Sequence, residues 1–214
     1  MKQNYCAFCS EKLSGEVCDC CGKSITDYHT APHWLLPGTV LAGKYEVGAV
    51  LGEGGFGITY IGRDTNLDMK VAIKEYFPSG VVNRNNTSSM EISALVGDTQ
   101  ANFEKGKQGF LSEARTLAKF SNEQSIVSVR DFFEENNTAY IVMEYLEGID
   151  LKDFIAQNGK MSFGLAISML SPIMSSLSKI HNQGLIHRDI SPANIMILNN
   201  RTVKLLDFGA ARNV

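Results

Sequence analysis

A chain of 214 residues, 44% hydrophobic and 20% charged, can bury one sizeable core or two small ones, so a globular α+β protein is expected rather than a disordered or fibrous one. Its net charge of −3 provides no overall attraction for nucleic acid or an anionic membrane. Met1-Lys2-Gln3-Asn4 lacks the apolar run of a signal peptide, and no run of about eighteen apolar residues offers a membrane segment, so the expected location is cytoplasmic.

All five cysteines lie between Cys6 and Cys21. Cys6, Cys9, Cys18 and Cys21 form the pattern C-x2-C-x8-C-x2-C, in which each pair can present two thiolates to one tetrahedral zinc. Gly22 suits such a knuckle because positive φ costs glycine little. The competing readings are a disulfide pair, disfavoured without a leader sequence, and incidental thiols. Cys20 is left over. Residues 1–24 are therefore expected to be a zinc ribbon that folds with its metal and offers a docking surface to a protein partner. Four thiolates close the coordination sphere, which makes the zinc structural. Residues 25–39 carry Asp, His, Thr, Pro and Gly and read as a linker, with Trp34-Leu35-Leu36 as an anchor and His29 and His33 as surface residues.

From residue 40 the pattern turns to strands. Tyr45 to Leu51 and Ile58 to Arg63 flank Gly52-Glu53-Gly54-Gly55-Phe56-Gly57, so the glycines join two strands and do not open a helix. That excludes a dinucleotide fingerprint and points to a flap over phosphates. Val71 to Lys74 is a third strand, and a lysine in an apolar strand needs a counter-charge. Glu104 and Glu113 are the candidates, on a helix from Phe103 to Phe120 whose inner face is Phe103, Lys107, Phe110, Ala114, Leu117 and Ala118. Between them, Pro78 to Gln100 is a mobile loop or an added hairpin. Ile126 to Val129 and Tyr140 to Met143 read as paired strands around a turn at Glu134 to Thr138.

Asp150 suits the cap of a short helix, with contact to a ribose as its sharper alternative. Ser162 starts a long helix to about Asn182, whose apolar face holds Ile167, Leu170, Ile173, Met174, Leu177 and Ile180, and in which Pro172 should cause a kink. Next come His187-Arg188-Asp189-Ile190-Ser191-Pro192-Ala193-Asn194, a strand Ile195 to Leu198, an Asn199-Asn200 turn and a strand from Val203 to Leu206 that delivers Asp207-Phe208-Gly209. An acid at 189, an amide at 194 and a second acid at 207 can surround a phosphate and its metal without competing, which is phosphoryl-transfer chemistry.

These four blocks, in this order, resemble the protein kinase superfamily, and G-E-G-G-F-G-I-T-Y, V-A-I-K-E-Y-F-P and H-R-D-I-S-P-A-N-I-M resemble its bacterial eukaryotic-like serine/threonine branch. The resemblance implies a bilobal fold: an antiparallel-sheet N-lobe with one main helix and a hinge over 40–146, then a partial helical C-lobe over 147–214. It implies ATP and Mg2+ as cofactors and a protein Ser/Thr hydroxyl as substrate. Asp189 would be the base; Asn194 and Asp207 would hold magnesium; Lys74 would hold the α- and β-phosphates, with Glu113 as its partner in preference to Glu104. Gly52, Gly54, Gly55 and Gly57 would cover the phosphates. Leu51, Thr59, Ala72 and Met196 would wall the adenine, Met143 would guard the pocket behind it, and backbone atoms of Glu144 and Leu146 would bond it. His187 and Phe208 would be structural, in a column with Leu117 and Val129, and Arg188 would hold a phosphorylated activation loop.

Two departures stand out. Ser191 occupies the place of a lysine in serine/threonine kinases, and Val214 follows Asp207 by seven residues, so the sequence covers about the first two thirds of such a domain. These departures motivate an alternative of another class, a nucleotide-binding pseudokinase or scaffold with a zinc-ribbon docking module. They also lead to an expected exposed apolar face on the helix from Ser162 to Asn182.

Overall fold

The computed structural model describes residues 5–86, 88–94, 99–206 and 212–213. They divide into two compact units, Met1–Leu111 with Arg130–Tyr145 and Ser112–Val129 with Leu146–Val214.

The first unit contains β1 (Val40–Leu41), β2 (Tyr45–Gly54), β3 (Gly57–Asp64), β4 (Met69–Tyr76), a small hairpin of β5 (Val82–Asn83) and β6 (Ser93–Ala94), part of helix α1 (Thr99–Ala118), and nearly all of β7 (Val129–Glu135) with β8 (Thr138–Glu144). The sheet order is β1-β2-β3-β4-β8-β7. Strand alternation sorts β4 by face. Val71, Ile73 and Glu75 are buried, whereas Lys70, Ala72 and Lys74 are half-buried on the opposite side. Register places Tyr60 opposite Ile73, and Glu75 between Ile58 and Tyr140, so the surroundings of Glu75 within the sheet are apolar apart from two phenols and that one carboxylate.

That carboxylate, Glu75, has no exposure. Arg84, from the segment between β4 and α1, forms a bidentate ion pair with it, and the hydroxyls of Tyr60 and Tyr140 donate to it at 3.0 and 2.8 Å. Arg84 also donates to the carbonyls of His33 and Met90, at 3.0 and 2.8 Å. The Pro78 to Gln100 segment is thus a hairpin anchored by a buried ion pair, not a mobile loop; Thr87 and residues 95–98 lie outside the described residues.

Residues 25–39, expected as a linker, are built into the same unit. Leu35 is fully buried and its N–H donates to the Tyr60 hydroxyl, while Asn86 bonds the carbonyls of Ala31 and Trp34. The cysteine-bearing residues also pack on the sheet. β2 loses register with β3 between Val47 and Gly52, and this irregularity releases amides that the N-terminal segment takes up: Ala49 N donates to Ala7 O at 2.7 Å and Val50 N to the Tyr28 hydroxyl at 3.0 Å. Gly48 makes the approach feasible, since a Cβ there would lie 2.5 Å from the Ala7 carbonyl oxygen. Arg63 completes the junction by donating to Ser10 O, pairing with Asp68 and lying 4.3 Å from the Tyr5 ring centroid.

The helix starts four residues before the expected Phe103 and ends at Ala118. Phe103, Lys107, Phe110, Ala114 and Leu117 are buried as anticipated, but Ala118 is exposed because it falls off the stripe. The strand expected at Ile126 to Val129 begins only at Val129; Ile126 instead makes one parallel bridge to Leu205. Between β7 and β8, Asn136 and Asn137 have φ of 52° and 59°, the left-handed pair that a two-residue hairpin turn demands.

The second unit has β9 (Gly148–Asp150), α2 (Leu151–Asn158), α3 (Phe163–His181), β10 (Leu185–Ile186), β11 (Ile195–Leu198), β12 (Val203–Leu205) and β13 (Arg212–Asn213). Its strands form the sheets β12-β11-β9 and β10-β13. Leu117, Ile126, Leu151, Ile173, Leu177, Ile180, Ile195 and Leu205 lie in its core, with Val129 packed against it. Asp150 caps α2 by accepting from Asp153 N at 2.8 Å, and Ser162 caps α3 from Leu165 N at 3.3 Å. Helix α3 continues through Pro172. Its length and composition would suit a membrane crossing, yet Ile173, Leu177 and Ile180 pack in this core, and Ser176 and Lys179 bond Glu123. Phe163, Leu165, Ile167 and Met174 are exposed, the apolar face anticipated for this helix. The Asn199-Asn200 turn is a four-residue loop whose positive φ falls on Arg201, and the Asn200 side chain accepts from Thr202 N.

Replacing Arg84 by Met strands a buried carboxylate and should cost about 3–5 kcal/mol in urea unfolding. The double variant Glu75→Leu/Arg84→Met should recover most of that loss, because no buried charge remains.

Candidate active site

In the second unit, β10 leads into His187, which is fully buried. The Asp189 amide donates to His187 Nδ1 at 3.2 Å, so Nδ1 carries no proton and Nε2–H donates to the Leu206 carbonyl at 3.1 Å. With both nitrogens used in this way, the ring ties the loop to the end of β12 and is structural, as anticipated. Arg188, between His187 and Asp189, has φ of 68°, a left-handed conformation that a non-glycine residue holds only when its surroundings enforce it.

Asp189 is exposed, and the Asn194 side-chain amide holds it. Asn194 Nδ2 donates to both the Asp189 carbonyl and its Oδ2, each at 2.9 Å. The Asn194 carbonyl accepts from Leu206 N at 2.8 Å, and its amide donates to Ser191 O at 3.0 Å. Ser191 therefore starts the 3-10 turn Pro192–Asn194, with Pro192 well placed where no backbone donor is needed. Because Nδ2 is committed to Asp189, the Asn194 Oδ1 is the end of the amide suited to a cation. A carboxylate fixed in orientation beside an amide oxygen can accept a proton at one point and support a hard cation at another. Met196 pairs with Asp150 and Lys204 in the adjoining sheet, and Leu146 also belongs to this unit, as does Glu113 on α1. Asp207, Phe208 and Gly209 lie outside the described residues.

In the first unit, register aligns Gly52 with Thr59, Thr59 with Lys74, and Ala72 with Met143. These residues share the face opposite Glu75. Glu144 pairs with Val71, so its side chain belongs to the other face. Leu51 is half-exposed, and Gly54 pairs with Gly57 at the hairpin's end, leaving Gly55 and Phe56 as the turn. A Cβ at Gly57 would lie 2.4 Å from the Glu75 carbonyl oxygen, so this glycine is needed for close strand approach.

The cysteines form a second site. Sγ atoms of Cys6, Cys9, Cys18 and Cys21 lie within 4.8 Å of one another, with Cys6 to Cys21 and Cys9 to Cys18 both at 3.6 Å, while Cys20 is exposed and apart from the group. Two similar knuckles build it. Ser10 N donates to Cys6 O and Cys6 N to Glu11 O; Gly22 N donates to Cys18 O and Cys18 N to Lys23 O. Ser10 and Gly22 both have positive φ, 57° and 70°. A backbone hydrogen bond at Cys21 lowers the Cys18 thiol to about 7, whereas burial pushes Cys6 and Cys9 up.

The protein kinase domain family matches residues 45–214, a span that includes the glycine turn, Lys74, Asp189 and Asn194. The chain belongs to the protein kinase domain family. A probable serine/threonine-protein kinase of Clostridium perfringens is 33% identical over 177 residues, 83% of this chain and 23% of that protein. PrkC of Bacillus subtilis is 32% identical over the same share of this chain, and 24% of PrkC is covered. Serine/threonine-protein kinase B of Synechocystis is 31% identical over 92% of this chain and 30% of its own, a match that reaches back into the cysteine-bearing segment. A solved structure, "PpkA-294 apo form", superposes with a TM-score of 0.76 at 36% identity, covering 83% of this chain and 62% of that one. The fold is thus kinase-like, with an antiparallel sheet and helices, and the chain spans about a quarter of the length of the first two curated kinases it matches.

Sequence reasoning overlooked Glu75, Arg84 and the contacts of His33, which bonds Glu53 at 3.0 Å and is not a free surface residue. Replacing His187 by Ala leaves the Leu206 carbonyl and Asp189 amide without their partner and opens a cavity. It should cost about 2–4 kcal/mol in thermal or urea unfolding, although Asp189 and Asn194 are untouched.

Proposed function

We propose that this chain carries the nucleotide-binding lobe and catalytic loop of a serine/threonine protein kinase that transfers the γ-phosphate of ATP to a protein hydroxyl. The observation that carries the reading is the double hydrogen bond from Asn194 to Asp189, which fixes a carboxylate as a proton acceptor. Asp189 takes the proton of the attacking hydroxyl and aligns it. Asn194 Oδ1, with Asp207, is suited to hold magnesium, which supplies neutralisation of phosphate charge when bound. Lys74 receives the α- and β-phosphates, and Gly52, Gly54, Gly55 and Gly57 close over them. Backbone groups of Glu144 bond adenine, walled by Leu51, Thr59 and Ala72, with Met143 behind.

The cysteine cluster is read as a structural zinc site. A zinc–sulfur bond of about 2.3 Å puts tetrahedral sulfurs about 3.8 Å apart, close to the 3.6 Å found for two pairs. A reducing cytoplasm suits four thiolates. Its exposed side is a surface for a protein partner.

Asp189→Asn should lower phosphate transfer to a protein substrate by about 10²- to 10⁴-fold while ATP binding persists. Nucleotide binding with no transfer by the unmodified full protein would favour the scaffold alternative, which Ser191 motivates. For the metal, elemental analysis should give one zinc per chain. Cys6→Ser/Cys9→Ser should remove it and lower the unfolding temperature, because the knuckle bonds the sheet at Ala49.

A further inference from the structure

The glycine turn has almost no packing of its own. A Cβ built at Gly52, Gly54 or Gly55 would meet nothing within 4 Å, and Phe56 is 79% exposed. Its position depends on a few polar contacts. From one side, Phe77 N and Ser79 N donate to the carbonyls of Phe56 and Gly55 at 3.2 and 3.0 Å. From the other, the Glu53 carboxylate takes a hydrogen bond from Trp34 Nε1 at 2.9 Å on one oxygen, and its second oxygen pairs with His33 Nε2 at 3.0 Å.

The two residues that grip Glu53 are themselves held in place. Trp34 stacks with Tyr28, ring centroids 6.4 Å apart, and Tyr28 meets Phe8 edge-on at 5.6 Å; Phe8 lies between Cys6 and Cys9 in the first knuckle. His33 lies 5.9 Å from Trp34 and 5.5 Å from Phe77, and its carbonyl is bound by the buried Arg84. A continuous set of side chains thus runs from the cysteine knuckle to the acidic residue of the turn. All of it belongs to the first unit.

We infer that His33 and Trp34 are positioning residues for the phosphate end of the nucleotide, acting through Glu53. The inference rests on the kinase reading above and adds to it a role for the segment ahead of the sheet. Glycines gain the most freedom when unrestrained, so a turn of this composition is costly to order at the moment of binding. Ordering it beforehand lets less of the binding free energy be consumed. Adenosine engages no phosphate site, so its affinity is indifferent to the restraint.

The test uses the full protein with Trp34→Phe and, separately, Glu53→Gln. Phenylalanine keeps the ring against Tyr28 and removes only the donor. Glu53 is partly exposed, so its variant probes the same pair without endangering the core. Both variants should speed amide hydrogen exchange across residues 52–57 and weaken Mg-ATP about three- to tenfold, the range for one partly exposed charge-assisted bond, with adenosine affinity unchanged. Unaltered exchange at 52–57 in both variants, or an equal loss of ATP and adenosine, would overturn the inference. A wild-type protein that binds neither ligand would instead overturn the kinase reading beneath it, a distinct result because the exchange measurement needs no nucleotide.

Discussion

A fully buried carboxylate next in sequence to Lys74 constrains much of the first unit. Strand alternation sends Lys74 to one face of β4 and Glu75 to the other, where its neighbours Val71 and Ile73 are apolar and buried. An unpaired charge there would be prohibitive. Its neutralisation draws in Arg84 from the hairpin beyond β4 and hydroxyls from Tyr60 on β3 and Tyr140 on β8. Tyr60 and Arg84 then hold Leu35 and His33 by their backbones. One acidic residue therefore organises two segments that composition alone labels as loops.

That explains what the sequence disclosed and what it withheld. The glycine hairpin and the closeness of Asp189 to Asn194 were legible because both depend on local spacing along the chain. The cysteine cluster was legible for the same reason, down to the exclusion of Cys20. Residues 25–39 were misleading because proline and glycine mark the absence of regular structure, not the absence of packing; Asn86, Tyr60 and Glu53 hold them from afar. The strand at Ile126 was displaced for a similar reason. Its apolar residues are buried beside Leu205 in the second unit, so burial reflected a bridge to a distant strand and not a hairpin with its neighbour. The Asn199-Asn200 signal located the turn correctly but not its left-handed residue, since Asn200 was engaged in bonding Thr202.

The segment from His187 to Asn194 shows how few contacts fix an exposed carboxylate when each is directional. His187 uses both ring nitrogens on the backbone, and Asn194 uses one nitrogen twice on Asp189. Ser191 supplies a backbone acceptor to the same turn, and its local structural role there does not require a lysine side chain.

The glycine at position 48 decides whether the cysteine-bearing segment can seat on the sheet. With only a hydrogen where other residues carry a methyl, the strand leaves room for the Ala7 carbonyl to reach Ala49. Any larger residue would close that berth and leave the cysteine segment a passenger on the lobe instead of a part of it. The absence of a side chain is thus itself a structural element, the seat on which the cysteine-bearing segment meets the sheet.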